Sequence, residues 1–190
     1  MASEKGGKER LVGGLLFDYV VDFVRKRKGE GAVSALEKKL GLSIFDQRRM
    51  YPVDAFIQLQ REAVRAVFGD ETDDGYKKLG RHVYDAYAHT LVGATLSTTT
   101  SLQELLGKKF RELGGLVVSF GSRKLLELDE AQGVAIIQIG DDPRNPAYLQ
   151  GVLEVGLEMV HLKNFRTVVF DKTGDSYKIK ITWQTGGPAS

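Results

Sequence analysis

Histidine is the residue best suited to acid–base or metal chemistry at neutral pH, and two of the three in this chain share the stretch GRHVYDAYAHTLVG at positions 80–93. On a helix, the seven residues from His82 to His89 turn through about 700° and advance about 10.5 Å, so the two rings point to nearly the same side. Zinc–nitrogen bonds are about 2.0–2.1 Å long, so one ion cannot bridge both rings from a straight helix. The productive spacing is four, as in H-E-x-x-H. Either ring alone could serve as an axial haem ligand. Otherwise, both flank an apolar stripe of Leu79, Val83, Ala86 or Tyr87, and Thr90 or Leu91. Histidines at such a boundary pack partly and hydrogen-bond locally, which is the reading adopted here. No metal site and no cofactor is expected.

Other chemistry-bearing stretches point to structure. GEGAVS (29–34) follows a basic helix end, whereas a dinucleotide loop follows a strand. No G-x-S-x-G nucleophile elbow occurs. Ser119 and Ser122 sit near a strand turn with no histidine beside them. Asp141 and Asp142, next to Pro143, read as turn and cap residues, since an acid–base pair needs environments that push two pKa values apart. GDETDDG (69–75) lacks the spacing and closing Glu of a calcium loop and reads as an interhelical loop with an N-cap. No catalytic residue is assigned, and the chain is expected not to be an enzyme.

The elements that would carry these side chains fall into two parts. Positions 10–113 have helical spacing. Leu15, Leu16, Tyr19, Val20, Phe23 and Val24 form one stripe, and KGEG interrupts it. A short helix, AVSALEKKL, stops at Gly41. In YPVDAFIQLQREAVRAVFG, Phe56, Leu59, Ala63 and Val67 share a face, and Gln58, Arg61, Glu62 and Arg65 are assigned to water. Pro52 and Asp54 suit its first turn and Gly69 its stop. The histidine stretch follows, and then SLQELLGKKFRELGG, expected to end at the double glycine. From position 115 the period becomes two. LVVSF and KLLEL read as a first strand pair around Gly121 and Ser122. GVAIIQIG reads as a central strand covered on both faces. Asn145 and Pro146 then open a long apolar helix. Its narrow polar strip is Gln150, Glu154, Glu158 and His161, and Gly151 and Gly156 imply close approach of a neighbouring backbone. FRTVVFD and SYKIKITW close the chain as a hairpin. The expected fold is α+β: an N-terminal helical layer followed by an antiparallel ββαββ sheet with one long buried helix. Residues 1–184 are read as one domain, with a flexible tail at 185–190.

Composition narrows the function classes. A chain of 190 residues can bury about 70% of the surface its unfolded form exposes. Net charge is +2, and Arg25–Lys28 suits a helix C-terminus, so no nucleic-acid partner is expected. The chain has no cysteine, which fits a reducing compartment. No apolar run is long enough for a membrane span. We expect a cytoplasmic protein.

In chain order, GLSIFDQRRMYPVDAFIQLQREAVRAVFG, YKKLGRHVYDAYAHTLVGATL, NPAYLQGVLEVGLEMV and YKIKITW resemble a family of uncharacterised proteins expanded into many paralogues in myxobacteria. The resemblance covers about residues 10–183. It rests on Tyr51-Pro52 before a helix, Leu79-Gly80-Arg81, the helix end at Thr90–Gly93, Pro146-x-Tyr148-x-x-Gly151, and Trp183. It implies no established activity. More distantly, helices followed by ββαββ resemble the superfamily of haem–nitric-oxide-binding domains, 4-vinyl-reductase domains and vesicle-tethering subunits. That likeness implies a small hydrophobic ligand or a protein partner. Haem-binding members hold the porphyrin propionates with Tyr-x-Ser-x-Arg, and none of the seven tyrosines here begins that pattern. The expected function is a non-enzymatic sensory or regulatory module that binds a small apolar ligand between helices and sheet. Arg81, Tyr84 and Tyr87 on one helix and Tyr148 on another are its candidate contacts. Core packing with satisfied hydroxyls is the plainer role for these tyrosines. The alternative function is a protein–protein module, homodimeric or adaptor-like, without a ligand.

Overall fold

Two three-residue strands, β1 (Leu11–Gly13) and β2 (Met50–Pro52), pair antiparallel and lead into the helices that begin at Gly14 and Val53. Pro52 therefore ends a strand and stands at the N-cap position, with extended ψ of 137°, one residue before the first turn of the helix that begins at Val53. The computed structural model describes residues 9–41, 46–90 and 101–185, the side chains of 113 and 114 excepted. The LSIF segment over 42–45, the Leu91–Gly93 part of the helix end and the tail from 186 lie outside the described residues.

The helical part follows the stripes in the sequence. Helix α1 is Gly14–Lys28, α2 is Glu30–Leu40, α3 is Val53–Phe68 and α4 is Asp73–Ala88. Gly41 and Gly69 stop α2 and α3 at φ 63° and 88°, which side-chain-bearing residues avoid. Thr72 caps α4 by accepting from the Gly75 N–H at 3.1 Å, and Asp73 and Asp74 complement the positive end of the helix. Glu62, assigned to water above, is buried in α3. Its carboxylate accepts from Lys39 Nζ at 2.5 Å and from Arg65 at 3.1 Å, so two cations compensate its burial.

Helix α5 spans residues 102–117 and departs from expectation. It opens at Leu102–Glu104, widens into a π-helical turn at Leu105–Lys109 and resumes at Phe110–Val117, running through the double glycine. Consequently LVVSF is not a strand. Leu116 and Val117 finish the helix, and Val118 makes a lone bridge to Val12. Ser119 joins the two parts of the chain: its N–H donates to the Leu11 carbonyl and its hydroxyl accepts from the Leu11 N–H. A short apolar run has no period long enough to separate a helix end from a strand.

Strands β3 (Ser122–Asp129), β4 (Val134–Gly140), β5 (Phe165–Thr173) and β6 (Ser176–Trp183) form an antiparallel sheet in the order β3-β4-β6-β5. Helix α6 (Pro146–Met159), capped by Asn145, connects β4 to β5. The α+β class and the ββαββ order are as expected. β4 is central, but one face of it is covered and not both. Ala135, Ile137 and Ile139 are buried while Gln138 is exposed, because the helices lie against a single face of the sheet. One continuous set of buried side chains draws on α1 to α6 and on the inward residues of β4 and β6.

The most extensive interhelical packing is α4 against α6. A Cβ at Gly80 would strike the Tyr148 carbonyl, and one at Gly151 would strike the Lys77 carbonyl. The backbones touch through two glycines. The implied close approach is thus tightest at Gly151; at Gly156 a Cβ would sit 3.4 Å from a Leu105 methyl. On the outer edge of this crossing Glu154 is buried, contrary to its assignment to a polar strip. It accepts from Lys77 Nζ at 2.6 Å, Arg81 at 3.3 Å and the Thr167 hydroxyl at 2.5 Å.

Candidate functional site: an apolar cavity with a cationic end

Beyond the glycine crossing, α4 and α6 stop touching backbone to backbone, and side chains fill the space. A cavity of about 60 Å³ remains. Val83, Tyr84 and Tyr87 of α4 and Leu149 and Val152 of α6 wall it, with Leu16 of α1 and Phe110 and Val117 of α5. Tyr148 lies where α6 begins, and Arg123 and Arg144 close the end nearest the sheet.

The cationic end is built by β3 and by the loop before α6. Arg123 lies opposite Ile139, and Ile139 opposite Tyr177, so Arg123 and Tyr177 flank Ile139 across three strands. After Gly140 the chain turns through Asp141 at φ 54°, which delivers Asp142 inward. The Asp142 side chain is fully buried, and those of Arg144 and Arg123 are 3% and 5% exposed. Arg144 grips the carboxylate with two prongs, Nε to Oδ1 at 2.9 Å and Nη2 to Oδ2 at 2.7 Å. The Arg144 N–H adds a bond to Oδ1 at 3.2 Å. Arg123 Nη2 stands 3.4 Å from Oδ2. Each guanidinium also lies near aromatic rings, Arg144 5.4 Å from Phe120 and 5.7 Å from Tyr148, and Arg123 5.6 Å from Phe110.

Electrostatics sort these groups. Burial would raise the Asp142 pKa, but the Arg144 charge and hydrogen bonds, aided by Arg123, hold it below the ordinary carboxylate value. Burial lowers the Arg123 pKa, and the like charge of Arg144 adds to this. Burial pushes Tyr84 and Tyr148 up to about 12 and raises Tyr177 as well. The phenols therefore stay protonated at neutral pH. The site offers hydroxyl and guanidinium donors, with its carboxylate already engaged, so its chemistry is that of an anion or acceptor held against apolar walls.

Of the four candidate contacts, the structure brings Tyr84, Tyr87 and Tyr148 to one cavity. Arg81 lies elsewhere, on the outer side of the crossing, bound to Glu154 and to both oxygens of Glu158 at 2.8 and 2.9 Å. Arg123, Asp142 and Arg144 were missed. Arg123 stood outside the KLLEL strand as read from sequence, and Asp142, beside Pro143, looked like a turn or cap residue, which hid a buried ion pair. The histidines are apart from the cavity. His82 Nε2 is 3.0 Å from Asp22 Oδ2 with its ring on Phe23, and burial lowers its pKa. His89 Nδ1 donates to the Asp85 carbonyl at 2.7 Å.

The fold is similar to that of H-NOX proteins. An S. oneidensis H-NOX mutant in the Fe(II) state aligns with TM-score 0.72 and 13% identity, covering 93% of this chain and 98% of that one. The S. oneidensis protein in the Fe(II)NO state aligns at 0.70 and 16%, covering 91% and 99%. A K. algicida H-NOX mutant aligns at 0.69 and 14%, covering 91% and 97%. At such identities the likeness is one of fold. The described residues do not fit a haem: no described histidine lines the cavity, and about 60 Å³ is far below the roughly 300–1,000 Å³ of pockets for drug-sized molecules. No curated protein matches the chain in sequence. The model of the family described as "Protein of unknown function (DUF2378)" matches residues 8–184, and the chain belongs to that family.

Proposed function

We propose that this protein is a sensory or regulatory module that binds a small, largely apolar ligand between its helices and its sheet, and acts by binding and not by catalysis. The observation that carries this reading is the cavity, apolar along its length with two buried guanidiniums at one end. Such a combination of apolar walls and a few placed polar groups is typical of small-molecule sites. Tyr84, Tyr87 and Tyr148 are the proposed contacts, joined by Leu149 and Val152. The likeness to H-NOX folds, some solved with NO on iron, lends support at the level of fold. The shared core supports treating residues up to 184 as one working unit. Among the described residues no helix is long and apolar enough to cross a membrane, and we place the module in the cytoplasm.

Native mass spectrometry tests the reading. Gently purified protein is expected to retain a small molecule that denaturation releases, and Val152→Trp, which fills the cavity, is expected to lose it. Repeated absence of any retained or added ligand would overturn the proposal.

A second reading, homodimerisation, draws on the outer sheet face. Leu126, Val168 and Phe170 are exposed there, and β3 and β5 are the sheet's edge strands. Light scattering at micromolar concentration would show a dimer if this is right and a monomer if it is not.

A further inference from the structure

We infer that the ligand of this cavity carries one anionic head group, a carboxylate attached to a short carbon chain, and that Arg123 receives it. The inference rests on the cavity reading above and names its ligand class. Two guanidiniums and one carboxylate, all at least 95% buried, leave a net single positive charge in the interior.

Both Asp142 oxygens are taken by Arg144 at 2.7–2.9 Å. A guanidinium has five N–H donors, and among the described residues Arg123 makes one hydrogen bond, the long one of 3.4 Å to Asp142. Its remaining donors line the cavity end. The Tyr177 hydroxyl, on the same inward face, is buried and has no hydrogen-bond partner among the described residues. The lowering of the Arg123 pKa by burial and by the like charge of Arg144, against the pull of Asp142, goes in the same direction. A buried cation short of partners is costly, and a carboxylate offers the two oxygens and the single charge that would complete it.

Size and walls narrow the class further. A phosphate monoester brings about −1.5 to −2 charges, more than the site's surplus. An engineered cavity of about 150 Å³ takes benzene, and this one measures about 60 Å³. A short aliphatic chain among Val83, Tyr87, Leu149 and Val152 suits that space.

Titration calorimetry of the whole protein with butyrate, and with butyramide as a neutral molecule of the same shape, tests the head group at constant ionic strength. Butyrate is expected to bind at least about tenfold more tightly. Arg123→Gln should erase that preference, and measurable butyramide binding by the variant shows that it keeps its cavity. Arg123→Lys should restore part of it. Equal binding of both probes, or butyrate binding untouched by Arg123→Gln, overturns the anionic head group and leaves the apolar cavity standing. Binding of neither probe, with Val152→Trp equally inert, overturns both.

Discussion

Asp142, in the loop before α6, and Glu154, within α6, are two buried carboxylates, each beside two cations, yet their settings differ. Glu154 faces Lys77 and Arg81, whose side chains remain 34% and 35% exposed, and Glu158 adds a second negative charge. Two cations meet two anions, and the cations keep access to water. Asp142 faces Arg144 and Arg123, both almost fully enclosed, and among the described residues no second anion pairs with them. The first group is a clamp that closes α4 on α6. The second carries surplus charge and surplus donors at the end of a cavity. A balanced cluster at a rim holds structure together, whereas an unbalanced one indoors is poised to take a partner.

Asp142→Asn is the severest way to break this contrast. It strands two buried guanidiniums and should cost about 3–5 kcal/mol in urea unfolding, the usual penalty for halving a buried pair. Acid sharpens the same point. The folded-state pKa of Asp142 lies below its ordinary value of about 3.9, so its contribution is complete above that value and fades as pH falls through the folded pKa. The gap between the wild type and Asp142→Asn should be constant from pH 6 to 5 and narrow below pH 4. Glu154→Gln should cost less, about 2 kcal/mol by the same measurement, because Lys77 and Arg81 can turn to solvent. Equal losses at the two sites would erase the distinction. Tyr177→Phe should have the smallest effect and the opposite sign. Removing an unpartnered buried hydroxyl should stabilise the protein by about 1 kcal/mol, read as a higher melting temperature. A loss of stability would mean that this hydroxyl is bonded.

Much of the frame was legible because local rules generate it. Apolar stripes placed α1 to α4, Asn145-Pro146 opened α6, and alternation defined β6. The errors have physical causes. LVVSF is too short for its period to be informative, and the helix ran on through Gly114-Gly115. Glu62 and Glu154 were assigned to water from their charge, yet lysine and arginine partners distant in sequence made their burial tolerable. Tyr84, Tyr87 and Tyr148 were marked as candidates, but nothing local could show that the Gly80 and Gly151 contact would draw α4 and α6 together around them.

Most of the element order, the caps of α4 and α6 and the inward face of β6 follow from sequence alone, because each depends on neighbours a few residues apart. The cavity and its charged end do not. Arg123 and Asp142 are nineteen positions apart. Whether an aspartate in a turn faces water or two enclosed guanidiniums is decided by how distant segments pack, since burial and Coulomb energy depend on separation in space and not along the chain.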